Sequence, residues 1–136
     1  MRIVLDTNVL VSALLSPHGS PARILDLVLN HKVQLLVDDR IVDEYRDVLL
    51  RPKFTFAPED VASLLSSLET AAEKVTAELA QLTLTDPDDL PFAEVAIAAG
   101  ADALVTGNPR HFLDSKLRQR VRVLTPAAFL GVVAGT

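Results

Sequence analysis

Short runs of Val, Leu and Ile alternate with longer segments of helical periodicity along this chain, and this alternation limits the folds open to it. Four runs have the composition of strands, at 2–6 (RIVLD), 33–37 (VQLLV), 102–106 (DALVT) and 121–124 (VRVL). Strands that alternate with helices are typical of a parallel sheet whose helical crossovers cover its faces. The pattern therefore predicts an α/β sandwich built on a parallel sheet.

The segments between these runs predict helices, because apolar residues recur at helical spacing and the ends carry capping signals. Ser20 and Pro21 are typical of a helix start, Gly100 of a helix end, and Thr125 of an N-cap. Residues 82–85 (LTLT) read as a short extended piece. The predicted helices cover 8–15, 21–32, 38–51, 57–79, 90–100, 110–120 and 126–133.

The composition indicates a single cytoplasmic domain. At 136 residues the chain has the usual size of one domain and shows no repeat or linker, so we expect residues 1–136 to fold together. The chain has no Cys, which excludes disulfides and thiolate metal sites. Asp6 interrupts the first apolar run, which therefore fits neither a signal peptide nor a membrane span.

The formal net charge of −5 argues against a generic nucleic-acid coat protein, which would need many Lys and Arg contacts to phosphate. With no Trp and 4% aromatic residues, an aromatic platform for base stacking is not expected. A basic strip nevertheless follows residue 109. It is either a solvated surface or a nucleic-acid contact. Its members, which face only Asp114 as a counter-charge, are Arg110, Lys116, Arg118, Arg120 and Arg122.

Polar residues end two of the predicted strands. Asp6 closes RIVL and is followed by Thr7 and Asn8, and Thr106 and Asn108 close DALV. Ligands in open α/β sheets gather beyond the carboxyl ends of the strands, so these side chains are candidates for a site. A carboxylate at the end of a buried strand needs a partner. Asp6 either caps the following helix or binds a ligand.

Further acidic residues lie in two predicted helical regions. Asp86, Asp88 and Asp89 fall within four residues of one another, directly before the helix at 90–100. They either cap that helix or bind a cation. Glu44 lies at the border of the apolar face of the helix at 38–51. An acid at such a border either forms an exposed salt bridge or acts as a ligand.

The order of these acids resembles the PIN-domain nucleases, in particular the bacterial branch related to VapC-type toxins of toxin–antitoxin systems. The matching segments are VLDTNVLVSALL at 4–15, VDEYRDVLLRPKF at 42–54 and DPDDLPFAEVAIAAGADALVTGNPRHF at 86–112. With the helices between them they span nearly the whole chain. The resemblance implies a three-layer α/β/α sandwich with a central, mainly parallel sheet of four to five strands.

The resemblance also implies a metal-dependent endoribonuclease that uses Mg²⁺ or Mn²⁺. Position by position, Asp6, Glu44 and Asp89 look like the acidic triad. Asp6 and Asp89 would be direct ligands, and Glu44 would act through water or orient the nucleophile. Residues expected to support this pocket are Thr7, Asn8, Asp86, Asp88, Thr106 and Asn108.

One position departs from the family pattern. Where many relatives carry a fourth acid, this chain has Asn108, followed three residues later by His111. An amide can still position water, so the departure implies weaker metal binding and weakens the case for two metal ions. His111 is a candidate general acid, phosphate contact or helix cap. The candidate RNA contacts are Arg110, His111, Lys116 and Arg118.

The resemblance implies three partners: an RNA substrate, a cognate antitoxin that occupies a groove next to the active site, and a second copy of the chain. The apolar residues between 59 and 79 would serve either the core or a homodimer face.

Other functions fit part of the pattern. A receiver-like phosphotransfer domain would need a Lys at the end of the last strand, and VRVLTP has none. A haloacid-dehalogenase-like phosphatase would need a second Asp where Asn8 lies. A catalytically weak or silent PIN module that binds RNA or protein stays open because of Asn108.

Overall fold

A computed structural model describes residues 1–135 and contains a five-stranded sheet in which all neighbouring strands are parallel. The strands lie in the order β3-β2-β1-β4-β5. The predicted α/β fold with a parallel sheet is thereby confirmed. The strands are β1 (Arg2–Leu5), β2 (Gln34–Val37), β3 (Glu73–Lys74), β4 (Ala103–Val105) and β5 (Arg122–Leu124).

Helices form the layers on both sides of this sheet. Single 3-10 turns at Pro52–Phe54, Pro87–Asp89 and Pro109–His111 connect some of them. Within residues 1–135 the helices are α1 (Thr7–Leu15), α2 (Ser20–Leu29), α3 (Asp39–Leu49), α4 (Pro58–Ala71), α5 (Leu90–Ala99), α6 (Ser115–Arg120) and α7 (Pro126–Ala134).

The two central strands explain where a site can form. Ile3–Leu5 of β1 and all of β4 are buried, as expected for parallel strands covered on both faces. The chain adds β2 and β3 on one side of β1 and then returns to add β4 and β5 on the other. Leu5 pairs with Val105, so the residues that follow, Asp6 and Thr106, lie side by side at this switch point.

The predicted helix at 57–79 is too long. α4 ends at Ala71, and Glu73 and Lys74 form β3, which pairs with Leu36 and Val37 of β2. Ala, Glu and Lys continue the helix-favouring composition past residue 71, but pairing with a sheet edge outweighs this local preference. The apolar face of α4 lies in the core through Val61, Leu65 and Leu68.

Two smaller predictions also need correction. The predicted helix at 110–120 is interrupted, because the Asp114 carboxylate accepts hydrogen bonds from the amides of Lys116 and Leu117 and so starts α6 afresh. Residues 82–85 are irregular and form no strand. Ser20 is the first residue of α2, with Gly19 in the N-cap position.

Residues 75–86, here called the strap, carry the chain from β3 back to the switch point without regular structure. The Ala80 amide donates to Glu94 Oε2 at 2.8 Å, and the Thr83 amide donates to Asp114 Oδ2 at 2.6 Å. Glu94 is buried in α5, and its Oε1 accepts a hydrogen bond from Arg40 Nη1 at 2.7 Å. Polar side chains therefore hold the strap that leads into the aspartates at 86–89.

Candidate active site

Asp6 occupies the N-cap position of α1, but its side chain makes no capping hydrogen bond. Instead its Oδ2 accepts a hydrogen bond from the Thr106 hydroxyl at 2.8 Å. Burial raises the pKa of the Asp6 carboxyl, and the Thr106 hydrogen bond opposes this effect. The side chain is therefore oriented across the sheet edge rather than toward the helix.

Glu44 projects from α3 to the same edge. One of its oxygens, Oε2, accepts a short hydrogen bond from the hydroxyl of Thr7, the first residue of α1. Burial raises the pKa of Glu44, and the nearby carboxylates of Asp6 and Asp88 raise it further. The border position inferred from the sequence thus brings Glu44 to Asp6 and not to an exposed salt bridge.

The three crowded aspartates have different roles in the structure. Asp86 caps the turn Pro87–Asp89, because its Oδ1 accepts a hydrogen bond from the Asp88 amide at 2.9 Å. Asp88 is exposed. Asp89 lies in the N-cap position of α5 but makes no side-chain capping bond there. Capping therefore accounts for Asp86, and only Asp89 is buried at the site.

The Asp89 carboxyl lies in surroundings that disfavour its negative charge. Burial raises its pKa to about 6, with further contributions from the negative charges of Asp6 and Asp86. Its Oδ2 is buried and accepts no hydrogen bond from residues 1–135. His111 Nδ1 lies 3.4 Å from this oxygen. A buried carboxylate oxygen without a hydrogen bond calls for a further partner.

These acids line one open cleft of about 410 Å³ at the carboxyl edge of the sheet. The carboxylates on its walls are Asp6, Glu44, Asp86, Asp88 and Asp89. The remaining lining residues are Thr7, Asn8, Val11, Ser12, Val48, Arg51 and Phe54. Five carboxylates face one guanidinium, so the cleft carries a strong negative potential.

The donor set fits a hard divalent cation, because the side chains that meet in the cleft offer carboxylate and hydroxyl oxygens. A cation beside Asp89 would also give its free Oδ2 a partner. Within the described part of the chain, no three acidic or histidine side chains are already arranged as a ligand set. Mg²⁺ commonly needs fewer, since one or two carboxylates and several waters hold it.

Thr106, Asn8 and Asn108 support the cleft from the β4 side. The Thr106 hydroxyl also accepts a hydrogen bond from the Asn108 amide nitrogen, and Asn8 Oδ1 accepts one from the Gly107 amide. Asn108 does not line the cleft, and its Nδ2 lies 2.8 Å from His111 Nε2. The imidazole of His111 thus lies between the Asn108 amide and the Asp89 carboxyl.

The basic side chains of the predicted strip differ in whether they form hydrogen bonds within the protein. Arg110 is exposed. Lys116 Nζ donates to the Gln81 carbonyl at 3.3 Å, on the strap. Arg118 donates to the carbonyls of Phe112 and Pro109 at 2.7 and 2.9 Å. Arg118 thus fastens the loop before α6, and its role as an RNA contact stays a prediction, as do those of Arg110, His111 and Lys116.

Comparison with known proteins places this arrangement in a family. A sequence model of the PIN domain matches residues 2–110. The chain belongs to the PIN-domain family. The match includes Asp6, Glu44 and Asp89, together with Thr106 and Asn108, and ends before His111.

Two individual proteins are similar to this PIN domain. An uncharacterized protein of Methanocaldococcus jannaschii, MJ1680, is 28% identical over 111 residues, which cover 79% of this chain and 71% of that protein. A chain in the crystal structure of VapBC2 from Rickettsia felis, bound to a DNA fragment from their promoter, matches with a TM-score of 0.57 and 18% identity. That match covers 92% of this chain and 98% of the other. At such identity the likeness concerns the fold.

Three features of this PIN domain were not foreseen from its sequence. Arg51 and Phe54 lie in RPKF, the end of the family-like segment at 42–54, and neither was a candidate site residue, yet both line the cleft. Tyr45 is fully buried and donates from its hydroxyl to the Leu5 carbonyl at 2.6 Å, so it holds β1 just before Asp6. Glu94 could have been noticed in the sequence, because it is the lone acid in the apolar segment LPFAEVAIAAG.

Among residues 1–135, every helix is too short or too polar to span a membrane.

Proposed function

We propose that this PIN domain is a metal-dependent endoribonuclease that hydrolyses RNA phosphodiester bonds. PIN domains are generally nucleases, and the family match covers the acidic cleft. The observation that carries the proposal is Asp89, a residue that lines the cleft and whose buried Oδ2 makes no hydrogen bond among residues 1–135. A structural carboxylate would be paired, whereas a ligand for a cation needs a free oxygen.

Asp6 and Asp89 are the residues that would hold Mg²⁺ or Mn²⁺. Thr106 orients Asp6, and the His111 ring lies beside Asp89. When bound, such an ion would offset the repulsion between the acidic cleft and an RNA phosphate and would acidify a water molecule. Asp86 and Asp88 add negative charge at the rim, which favours cation capture.

Glu44 is assigned the task of orienting the water that attacks phosphorus. Its Oε2 is fixed by Thr7, which leaves Oε1 to accept a hydrogen bond from water. A raised pKa makes the Glu44 carboxylate a better proton acceptor than an ordinary Glu, provided that the pH lies above that pKa. Attack in line with the leaving oxygen then breaks the phosphodiester bond.

We further propose that this activity is that of a toxin with a cognate antitoxin. The support is the fold shared with a chain of VapBC2, a complex whose crystal structure includes a promoter DNA fragment. A homodimer is proposed on the same family grounds, although Val61, Leu65 and Leu68 of α4 are used in the core.

A catalytically weak or silent binding module is the second candidate. The Asn108 side chain, at the place of the fourth family acid, pairs with His111 and adds no carboxylate to the cleft. This observation supports fewer metal contacts than in relatives that carry four acids.

The deciding experiment is cleavage of a structured RNA pool by the purified chain in EDTA, Mg²⁺ or Mn²⁺. Wild-type protein should cut only with metal, and Asp6→Asn should lose cleavage by about 100-fold or more, since a direct ligand is removed. Asp26→Asn, an exposed change of equal charge on α2, is the matched control and should cut normally. A folded wild-type protein that cuts with neither metal would favour the binding module.

A further inference from the structure

The turn after α3 forms one wall of the acidic cleft. Arg51 and Phe54 line the same cleft as the carboxylates, and Lys53 lies between them in the sequence. We call residues Arg51, Lys53 and Phe54 the cleft turn. It brings two cations and an aromatic ring to a site that is otherwise acidic, and none of the proposed catalytic roles uses them.

The ring of Phe54 is positioned by a neighbouring ring but remains partly exposed. Phe54 is half-buried, and its ring stacks on that of Phe56, with centroids 5.8 Å apart and planes 13° from parallel. Between them Thr55 has a φ of 55°, a left-handed conformation that is rare for a β-branched residue. Such backbone strain concentrates at ligand clamps and functional sites. The strained residue, Thr55, thus directly follows the ring that lines the cleft.

The two cations beside this ring are available for a ligand. Arg51 is exposed, and its guanidinium lies 3.7 Å from Asp47, an exposed pair of small energetic value. Lys53 Nζ lies 5.0 Å from the centroid of the Phe54 ring. An exposed cation–π contact is weaker than the stacking of a base on an aromatic ring. A nucleobase can therefore displace the ammonium group from the ring.

Although the low aromatic content argued against base stacking, we propose that the cleft turn binds one unpaired nucleotide next to the phosphate that is cut, with Phe54 as a single stacking ring. Phe54 stacks on the base, while Arg51 and the displaced Lys53 bind backbone phosphates. The inference rests on the proposed nuclease function, and it assigns the selection of an unpaired nucleotide to residues of the cleft turn. A base inside a duplex has both faces covered by its neighbours, so it cannot stack on Phe54 without leaving the helix.

Fluorescence tests this binding without any need for cleavage. The chain contains no Trp, so Phe54→Trp introduces a single indole at the stacking position. With Ca²⁺ present, a ten-nucleotide oligoadenylate should quench the indole emission at least about twofold, because stacked bases quench by contact. A duplex of equal length and an abasic ribose-phosphate oligomer should quench much less. Equal quenching by the abasic oligomer, or none by oligoadenylate, would overturn the proposal.

Phe56→Trp is the matched control, because Phe56 stacks on Phe54 but does not line the cleft. It should show the smaller quench. Arg51→Gln should lower the slope of log affinity against log salt by about 1, as expected when one phosphate contact is lost. An unchanged slope would remove Arg51 from the subsite.

Cleavage kinetics separate this inference from the proposed function. Phe54→Leu should raise KM for single-stranded RNA about 10-fold, with the loss falling on KM rather than on kcat, and Phe54→Tyr should restore it. If wild-type protein cuts RNA but Phe54→Leu leaves KM unchanged, the subsite is wrong and the nuclease stands. If no metal supports cutting but oligoadenylate still quenches Phe54→Trp, the subsite stands and the binding module replaces the nuclease.

Discussion

Asp6 and Asp89 both stand immediately before a helix, and neither uses its carboxylate to cap it. Burial raises the pKa of each carboxyl, and the negative charge of Asp6 raises that of Asp89 further. Without a cation the negative charge on Asp89 destabilises the fold. The acids of the cleft are therefore a cost to stability that binding of a cation would offset.

Asp89→Asn should stabilise the metal-free protein at neutral pH. The folded-state pKa of about 6 lies above that of an ordinary Asp, so the proton is bound more tightly in the folded state. Stability from this group is present at low pH and is lost as pH rises through about 6. In EDTA at pH 7.5, Asp89→Asn should melt about 5 °C higher than wild type, and at pH 4 the difference should vanish.

Asp26→Asn should leave both melting temperatures unchanged, because Asp26 is exposed on α2 and remote from the cleft. A lower melting temperature for Asp89→Asn at pH 7.5 would show that the ionised carboxylate has a stabilising partner after all.

Thr106→Val should weaken metal binding while keeping the shape of the side chain. The hydroxyl that orients Asp6 would be lost, and the pKa of Asp6 would rise further because the opposing hydrogen bond is gone. We expect Mn²⁺ affinity, measured by calorimetry at pH 7.5, to fall about 10-fold or more. Thr106→Ser should retain wild-type affinity, and equal losses in both variants would argue against the hydroxyl as the cause.

At the scale of elements, the strap determines where the aspartates at 86–89 lie. It contains no helix or strand, yet the buried Glu94 receives both its Ala80 amide and the Arg40 guanidinium. Glu94 is thus fixed from two sides, and the cleft depends on a residue that does not line it.

Glu94→Gln should loosen the strap without unfolding the sheet. Gln has one acceptor oxygen where Glu has two, so it cannot accept from both the Ala80 amide and the Arg40 guanidinium. Its amino group then faces one of these donors, and loss of such a buried acceptor costs about 1–3 kcal/mol. Amide hydrogen exchange should accelerate at residues 76–84 and stay slow in β1 and β4. The exposed Glu78→Gln on the same segment is the control, and uniform acceleration across all strands would instead indicate global destabilisation.

The elements also show what sequence reasoning can reach. Asp6 and Thr106 were predictable as neighbours because strand ends meet at the switch point of a parallel sheet. β3 could not be predicted from the sequence, because residues 73 and 74 continue a helix-favouring composition. Only pairing with the edge of β2 makes them extended. Phe54 and Arg51 were missed because a turn after a helix carries no signal about which wall it forms.

At the scale of the whole molecule, the charge is distributed unevenly. Of the eighteen acidic residues, five line the cleft beside Arg51, which leaves thirteen acids against twelve Lys and Arg in the rest of the chain. Most of the net charge of −5 therefore resides in the cleft, and the rest of the chain is close to balanced. The proposed RNA substrate would therefore need cations in the cleft before its phosphates could approach the carboxylates.

Divalent metal should therefore stabilise the entire fold. Saturation at about 100 times the dissociation constant adds roughly 2.7 kcal/mol, so Mn²⁺ should raise the melting temperature of wild-type protein by several degrees. Asp6→Asn should lose most of this increase, whereas Asp26→Asn should keep it. The measurement is thermal unfolding in EDTA and in Mn²⁺, and an equal rise in all three proteins would place metal binding elsewhere.

The order of the parts along the chain has a consequence for synthesis. Asp6, Glu44 and Asp89 leave the ribosome before β4, yet Asp6 receives its hydrogen bond from Thr106, and β1 pairs with β4 on one side. A nascent chain that ends before residue 103 has every acid of the cleft but lacks the strand that completes the central pair. The cleft can therefore assemble only after synthesis has passed Thr106, when about three quarters of the chain have been made.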